Sequence, residues 1–332
     1  MKLVTFVPRL EPQATATVGV VLDGDTVVNL QAGRQMIAGS SSPFFVDMLA
    51  FLDAGEAARE AAQQVIDFVC TQRPPEITYS LCDVQLLSPV PQPRSLRDCL
   101  VFEKHLIQAT RSVISWYLPP LAKLDTWLEK LRGRSLFSPP KFWYDSPVYY
   151  KGNPFSVVGA DAKVHWPAYT QKLDYELEIG IFIGKKGRNI TEGAARSYIA
   201  GYTIFNDFSA RDIQIQEMKC RLGPAKGKDF DTGNAIGPYL ITPDEVPQPY
   251  NLTMSAKVNG EKWSQGNSNS MHFTFEEIIA YISKDETLYP GEFIGSGTVG
   301  NGCGLELNRW LKRTDVVELE VESLGVLRNV IV

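Results

Sequence analysis

The stretch LDYELEIGIFIG, residues 173–184, constrains the fold more than any other part of the chain. It is apolar and glycine-rich, as a strand inside a core must be. It also carries Glu176 and Glu178, two residues apart. Residues i and i+2 of a strand point to the same face. Two carboxylates therefore project side by side from a core-like segment, where like charges repel and lost solvation adds to the cost. Either that face meets water, as one face of an antiparallel sheet often does, or the charges have a partner. A divalent cation is one such partner. Ligation by oxygen alone selects a hard ion, Mg²⁺, Mn²⁺ or Ca²⁺.

The rest of the chain supplies enough apolar material to bury such a strand. Of 332 residues, 44% are hydrophobic and 21% charged, which suits one large domain or two smaller ones. The net charge of −5 offers nothing to attract nucleic acid or an acidic membrane. No run of 18 apolar residues is present and MKLVTFVPRL lacks a long apolar core, so neither a membrane span nor a signal peptide is expected. The five cysteines, Cys70, Cys82, Cys99, Cys220 and Cys303, are scattered and odd in number. They read as reduced thiols of a cytoplasmic protein, not as a zinc site or a disulfide frame.

Punctuation divides the chain. Residues 2–30 hold short strand-like runs separated by a Gly-Asp turn, and residues 53–70 have a helical pattern. SPVPQPRS, residues 88–95, carries three prolines in eight residues and reads as a linker. The boundary falls there, giving a small N-terminal β-rich domain over 1–88 and a catalytic domain over 95–332. Leu106, Thr110, Val113, Ile114 and Tyr117 lie at helical spacing, and a second helix follows and ends at Gly133. From 147 onward, β-branched and aromatic runs alternate with Gly, Pro and Asn turns. The fold class expected is α+β with a mostly β catalytic part.

Further charges accompany the opening pair. Asp207 ends the strand-like run GYTIFN, GPAKGKDFDTG sets Lys226 and Lys228 in a glycine-rich loop, and SLRDCLVFEKH offers Asp98 and His105. With LDYELEIGIFIG, NDFSARDIQ, GKDF and GSGTVGNGCGLE in this order, residues 95–332 resemble the fumarylacetoacetate hydrolase superfamily. That resemblance implies a small β domain followed by a mixed β-sandwich or β-roll catalytic domain, and a homodimer. It implies a metal set of Glu176, Glu178 and Asp207, with Asp98 as a fourth carboxylate. His105 corresponds to the catalytic base and Glu306 to the acid that orients it. Lys228, Arg211 and Gln214 fall at substrate or oxyanion contacts, and Tyr150 and Thr298 at substrate-binding positions. The sequence departs from the fumarylacetoacetases at Met218, where they carry tyrosine, and in a shorter N-terminal part. It departs from small acylpyruvate hydrolases at Gln108, where they carry glutamate.

The chemistry can be argued beside the resemblance. Breaking a C–C bond next to a ketone needs a water to attack one carbonyl and a way to hold the departing carbanion as an enolate. A divalent ion chelated by a dicarbonyl or 2-keto acid does the second. A histidine does the first, and a carboxylate beside it favours its charged form. Only three histidines exist, and His165 and His272 have no acidic motif beside them; they read as structural. A surface histidine at a helix start is the plainer reading of His105. The expected activity is hydrolysis of a C–C bond in a β-diketo acid or acylpyruvate through a metal-stabilised enolate. The alternatives are a 2-keto-acid decarboxylase, hydratase or tautomerase on the same metal, and a metal- or ligand-binding relative without activity. The partner expected is a small keto acid. GSGTVG fits GxGxxG but is followed by further glycines and strand alternation, so it is not a dinucleotide site, and its glycines are expected to admit a small anionic substrate. KGKDF lacks the spacing of a phosphate-binding loop.

Overall fold

Continuous runs of buried residues, Leu3–Phe6 and Val18–Val21, mark Lys2–Pro8 and Thr17–Leu22 as an antiparallel pair in the computed structural model, which describes all 332 residues. The first of these strands also pairs on its other side, Lys2 with Ile241 and Leu3 with Leu240. The N-terminal hairpin is thereby part of the sheet that carries the acidic motifs. From Lys2–Pro8 the sheet continues through Asn234–Ile241, Ile199–Asp207, Leu177–Ile183, Phe293–Gly295, Leu96–Cys99 and Tyr149–Gly152. Residues 88–95 run between Val84–Leu86 and Leu96–Cys99 without helix or strand.

Both faces of this sheet are covered, which explains the near-continuous apolar run in Leu177–Ile183. On one face Ile179 and Ile181 join Met254, Leu319 and Leu327 of a second, five-stranded sheet. On the other, Phe182, Phe205 and Phe293 join Phe51 and Val65 from the helices Met48–Ala54 and Glu56–Gln72. The α+β class and the layered β architecture are as expected. The helix read over 53–70 differs in one detail: Gly55, at φ +58°, separates those two helices.

The two helices read from 103 onward are Glu103–Tyr117 and Pro119–Arg132, the second closed by Gly133 at φ +69°. They are tied together by Arg111, whose guanidinium meets Asp125 at 2.5 Å and Glu129 at 2.7 Å. Lys172 anchors the tip of the first helix, its ammonium 3.6 Å from the Trp116 ring centre and 4.7 Å from that of Trp310. Beyond residue 147 strands outweigh helices, with two longer helices that the β-rich reading passed over, Arg211–Lys219 and Phe275–Ile282. The second carried a sequence signal, the capping box of Thr274 and Glu277.

Candidate active site

Three strands deliver one carboxylate each to a common point. Asp98, Glu178 and Asp207 are buried, and their oxygens lie within 4.8 Å of one another. Asp98 belongs to a strand two places from that of Glu178, with Phe293–Gly295 between them. Gly295 pairs with Asp98 on one side and Gly180 on the other. A Cβ at Gly295 would stand 2.4 Å from Asp98 Oδ1, so glycine opens the gap through which the carboxylates meet. Gly297, at φ +82°, turns its N–H to donate to both Asp98 Oδ1 and Glu178 Oε2, each at 3.0 Å. Thr298 Oγ1 donates to Glu178 at 3.2 Å. Gly295 and Gly297 of GSGTVG thus bring backbone against the protein's own carboxylates.

Glu176 does not share this point as its spacing suggests. The strand breaks at Tyr175 and Glu176, and Leu173–Asp174 pairs separately with Ser209–Ala210. Both glutamates are buried, which removes the water-facing reading. Glu176 instead receives Arg211 at 2.7 Å and Lys228, and Lys228 also donates to Asp207 at 2.5 Å. Tyr150 donates to the same Asp207 oxygen at 2.6 Å. Arg211 continues to Gln214 at 2.9 Å and to Asp174 at 2.8 Å. Asp174, which the motif reading passed over, accepts further hydrogen bonds from Gly304 and Leu305 and so fixes the short helix that carries Glu306.

His105 is buried beside this network, in the first turn of Glu103–Tyr117. Its Nδ1 lies 3.3 Å from Glu306 Oε2, close but not aligned as a hydrogen bond, and its Nε2 lies 4.0 Å from Glu176. Glu306 is held by the backbone N–H groups of Asn301 and Cys303 at 3.0 and 3.2 Å. His165 and His272 are exposed elsewhere, the latter stacked on Trp143.

The electrostatics divide the acids into two kinds. Burial pushes Asp98 and Glu178 well above the carboxylate range, reinforced by repulsion from Asp207 on the former and Asp98 on the latter. Burial likewise lifts Asp207, but Lys228 restrains it to about 6. For Glu176 the burial cost is outweighed by Arg211 and Lys228, which hold it well below the usual range. Five buried carboxylates, Asp98, Asp174, Glu176, Glu178 and Asp207, face two buried cations, Arg211 and Lys228. Asp207 Oδ1 has no hydrogen-bond partner. This donor set fits a hard divalent cation held by Asp98, Glu178 and Asp207, with oxygen ligands only.

A thermal-stability prediction follows from those shifts. Carboxyls whose folded pKa is raised stabilise the metal-free chain fully below the ordinary carboxylate range, and that stability is lost as pH rises through their folded values. In EDTA the melting temperature should therefore fall from pH 5 to pH 8. Mg²⁺ should raise it, and more at pH 8; at a hundredfold excess over Kd the added stability is about 2.7 kcal/mol. Glu178→Gln should abolish the Mg²⁺ increment and raise the metal-free melting temperature. Scanning calorimetry that finds equal Mg²⁺ effects in wild type and variant would remove Glu178 from the ion site.

A cavity of about 560 Å³ opens onto the charged cluster. Asp98, His105, Tyr150, Glu176, Arg211, Gln214, Lys228 and Thr298 line it. Of the site residues read from the sequence, Glu178, Asp207 and Glu306 stand behind this lining and act on it through neighbours.

The family model described as fumarylacetoacetate (FAA) hydrolase C-terminal matches residues 130–332. Oxaloacetate tautomerase Fahd2a, mitochondrial, of Rattus norvegicus is 38% identical over 188 residues, 56% of this chain. The matched part spans 59% of that relative's length. Oxaloacetate tautomerase fahd2, mitochondrial, of Xenopus laevis is 30% identical over 100% of this chain and 90% of its own. Among solved structures, the fumarylacetoacetate hydrolase from psychrophilic Exiguobacterium antarcticum superposes with a TM-score of 0.71 at 24% identity, covering 100% of this chain and 99% of that one. Maleylpyruvate hydrolase from Sphingobium sp. SYK-6 gives 0.70 at 20%, with the same coverage. At these identities the superpositions speak to the fold.

Proposed function

The chain belongs to the fumarylacetoacetate hydrolase family, and from that premise we propose that it hydrolyses a C–C bond in an acylpyruvate-type or β-diketo acid. The observation that carries this reading is the buried His105 facing Glu306 at 3.3 Å, beside the acid cluster and on the cavity wall. Ion binding alone needs the carboxylates but not this pair. His105 takes a proton from a water in the cavity, and the water oxygen bonds to the acyl carbon. Glu306 stabilises the imidazolium, and its own position is fixed by the amides of Asn301 and Cys303. As the C–C bond breaks, its electron pair stays with the keto-acid fragment and His105 returns the proton there. The products are a carboxylic acid and a 2-keto acid. Arg211 and Lys228 keep Glu176 charged and in place next to His105. A divalent ion held by Asp98, Glu178 and Asp207 would supply Lewis acidity toward the substrate oxygens.

A second reading is keto–enol tautomerisation of a 2-keto acid. The relative aligned over the whole chain carries that name, and the step needs the base but no attack by water. A Mg²⁺-supplemented panel of acetylpyruvate, fumarylpyruvate, fumarylacetoacetate and oxaloacetate in ¹⁸O-labelled water separates the two. Hydrolysis yields two fragments, one carrying ¹⁸O in its carboxylate. Faster enol loss from oxaloacetate with no cleavage of any diketo acid would sink the hydrolase reading.

A further inference from the structure

The cavity has a polar floor and an apolar wall, and two helices contribute to both. Glu103–Tyr117 presents His105 at its start, then Leu106, Ala109, Val113 and Ile114 along the same lining. These recur at helical spacing and carry the stripe about 14 Å from the histidine at ~1.5 Å per residue. Arg211–Lys219 repeats the plan: Arg211 and Gln214 at the polar end, then Ile215 and Met218. Met218 is the position at which the sequence departs from the fumarylacetoacetases, and it is 58% exposed, open to a ligand. The cations of the floor are engaged by Asp174, Glu176 and Asp207. One lysine remains on the lining, Lys219 at the rim, donating to Gln216 at 3.4 Å.

We propose that the substrate is a keto acid whose acyl end is an uncharged alkyl or aryl group, seated between these two helices. This rests on the reading of the floor as the acylpyruvate-cleaving site. A second carboxylate at that end would lose water against Leu106, Val113 and Ile114, with Lys219 at the rim as the one cation of the lining not paired with a carboxylate. A small diacid would leave most of a 560 Å³ cavity unfilled.

The test uses the full chain with Mg²⁺ and two independent readouts. In the first, kcat/KM for acetyl-, butanoyl- and hexanoylpyruvate should rise by about 4-fold per methylene, and fumarylpyruvate should fall below hexanoylpyruvate. In the second, calorimetric binding of 2-oxo acids from 2-oxobutanoate to 2-oxooctanoate should tighten with length, and 2-oxoadipate should bind more weakly than 2-oxohexanoate. If nothing is cleaved yet affinity still rises with length, the hydrolase reading fails and the apolar seat stands. Affinity that is flat with length overturns the seat. So does tighter binding of 2-oxoadipate that is lost in Lys219→Ala. Met218→Glu should cut the hexanoyl-to-acetyl ratio by roughly 10-fold. An unchanged ratio in a variant with the wild-type melting temperature overturns the seat as well.

Discussion

His105→Ala should slow C–C hydrolysis by roughly 10²–10⁴-fold, the usual worth of a positioned general base. The side chain touches none of Asp98, Glu178 and Asp207, the carboxylates proposed to hold the ion, so Mg²⁺ affinity by calorimetry should stay within a factor of about 3. Glu306→Gln should cost less, since the glutamine keeps a partner near Nδ1 but removes the charge that stabilises the imidazolium. Both effects should fall on kcat more than on KM, because the proton moves only in the reacting complex. Full hydrolysis by His105→Ala would show that another group activates water and that His105 is not the base.

Lys228→Met should have the largest effect on stability. Lys228 is buried and bridges Glu176 and Asp207. Removing one partner of a buried ion network leaves charge without compensation and costs about 3–5 kcal/mol. Urea denaturation in EDTA is the proper measurement, because a bound ion would replace part of the lost charge. Asp207→Asn added to Lys228→Met should recover a share of the loss, and the double-mutant cycle gives the coupling. Lys228→Arg should not rescue: two carboxylates converge on a single ammonium, a point charge that a planar guanidinium does not reproduce. A loss of unfolding free energy below about 0.5 kcal/mol for Lys228→Met would mean that Glu176 and Asp207 are compensated from elsewhere.

The chemistry-bearing residues were legible because few residue types can do this work and their motifs stand in order. Their division into groups was not. The alternation rule predicted one shared face for Glu176 and Glu178, but the strand breaks between Asp174 and Leu177, and the two side chains serve different partners. Asp98 joins Glu178 through a gap made by Gly295, which depends on strand order that no local spacing encodes. Asp174 was visible in LDYELE as a third alternating acid, yet its role comes from amides at Gly304 and Leu305, far along the chain. The stripe from Leu106 to Ile114 was read correctly as one face of a helix. Periodicity alone cannot say whether such a face meets a core or a cavity.

The register of the first strand has a consequence for how this chain reaches its native state. Phe6, Val7 and Pro8 are opposite Leu86, Gln85 and Val84, but Lys2 and Leu3 are opposite Ile241 and Leu240, so one half of this strand's outer edge waits for a segment synthesised much later. Closing so long a loop carries an entropic penalty before any contact rewards it, and chains of high contact order fold slowly. In the interval the N-terminal end of Lys2–Pro8, at Lys2 and Leu3, shows N–H and C=O groups without a partner strand. Such an edge is a template for pairing with another nascent copy. Chains halted before Asn234–Ile241 lack the strand that would cover that end, and an uncovered edge favours aggregation over a stable half-protein.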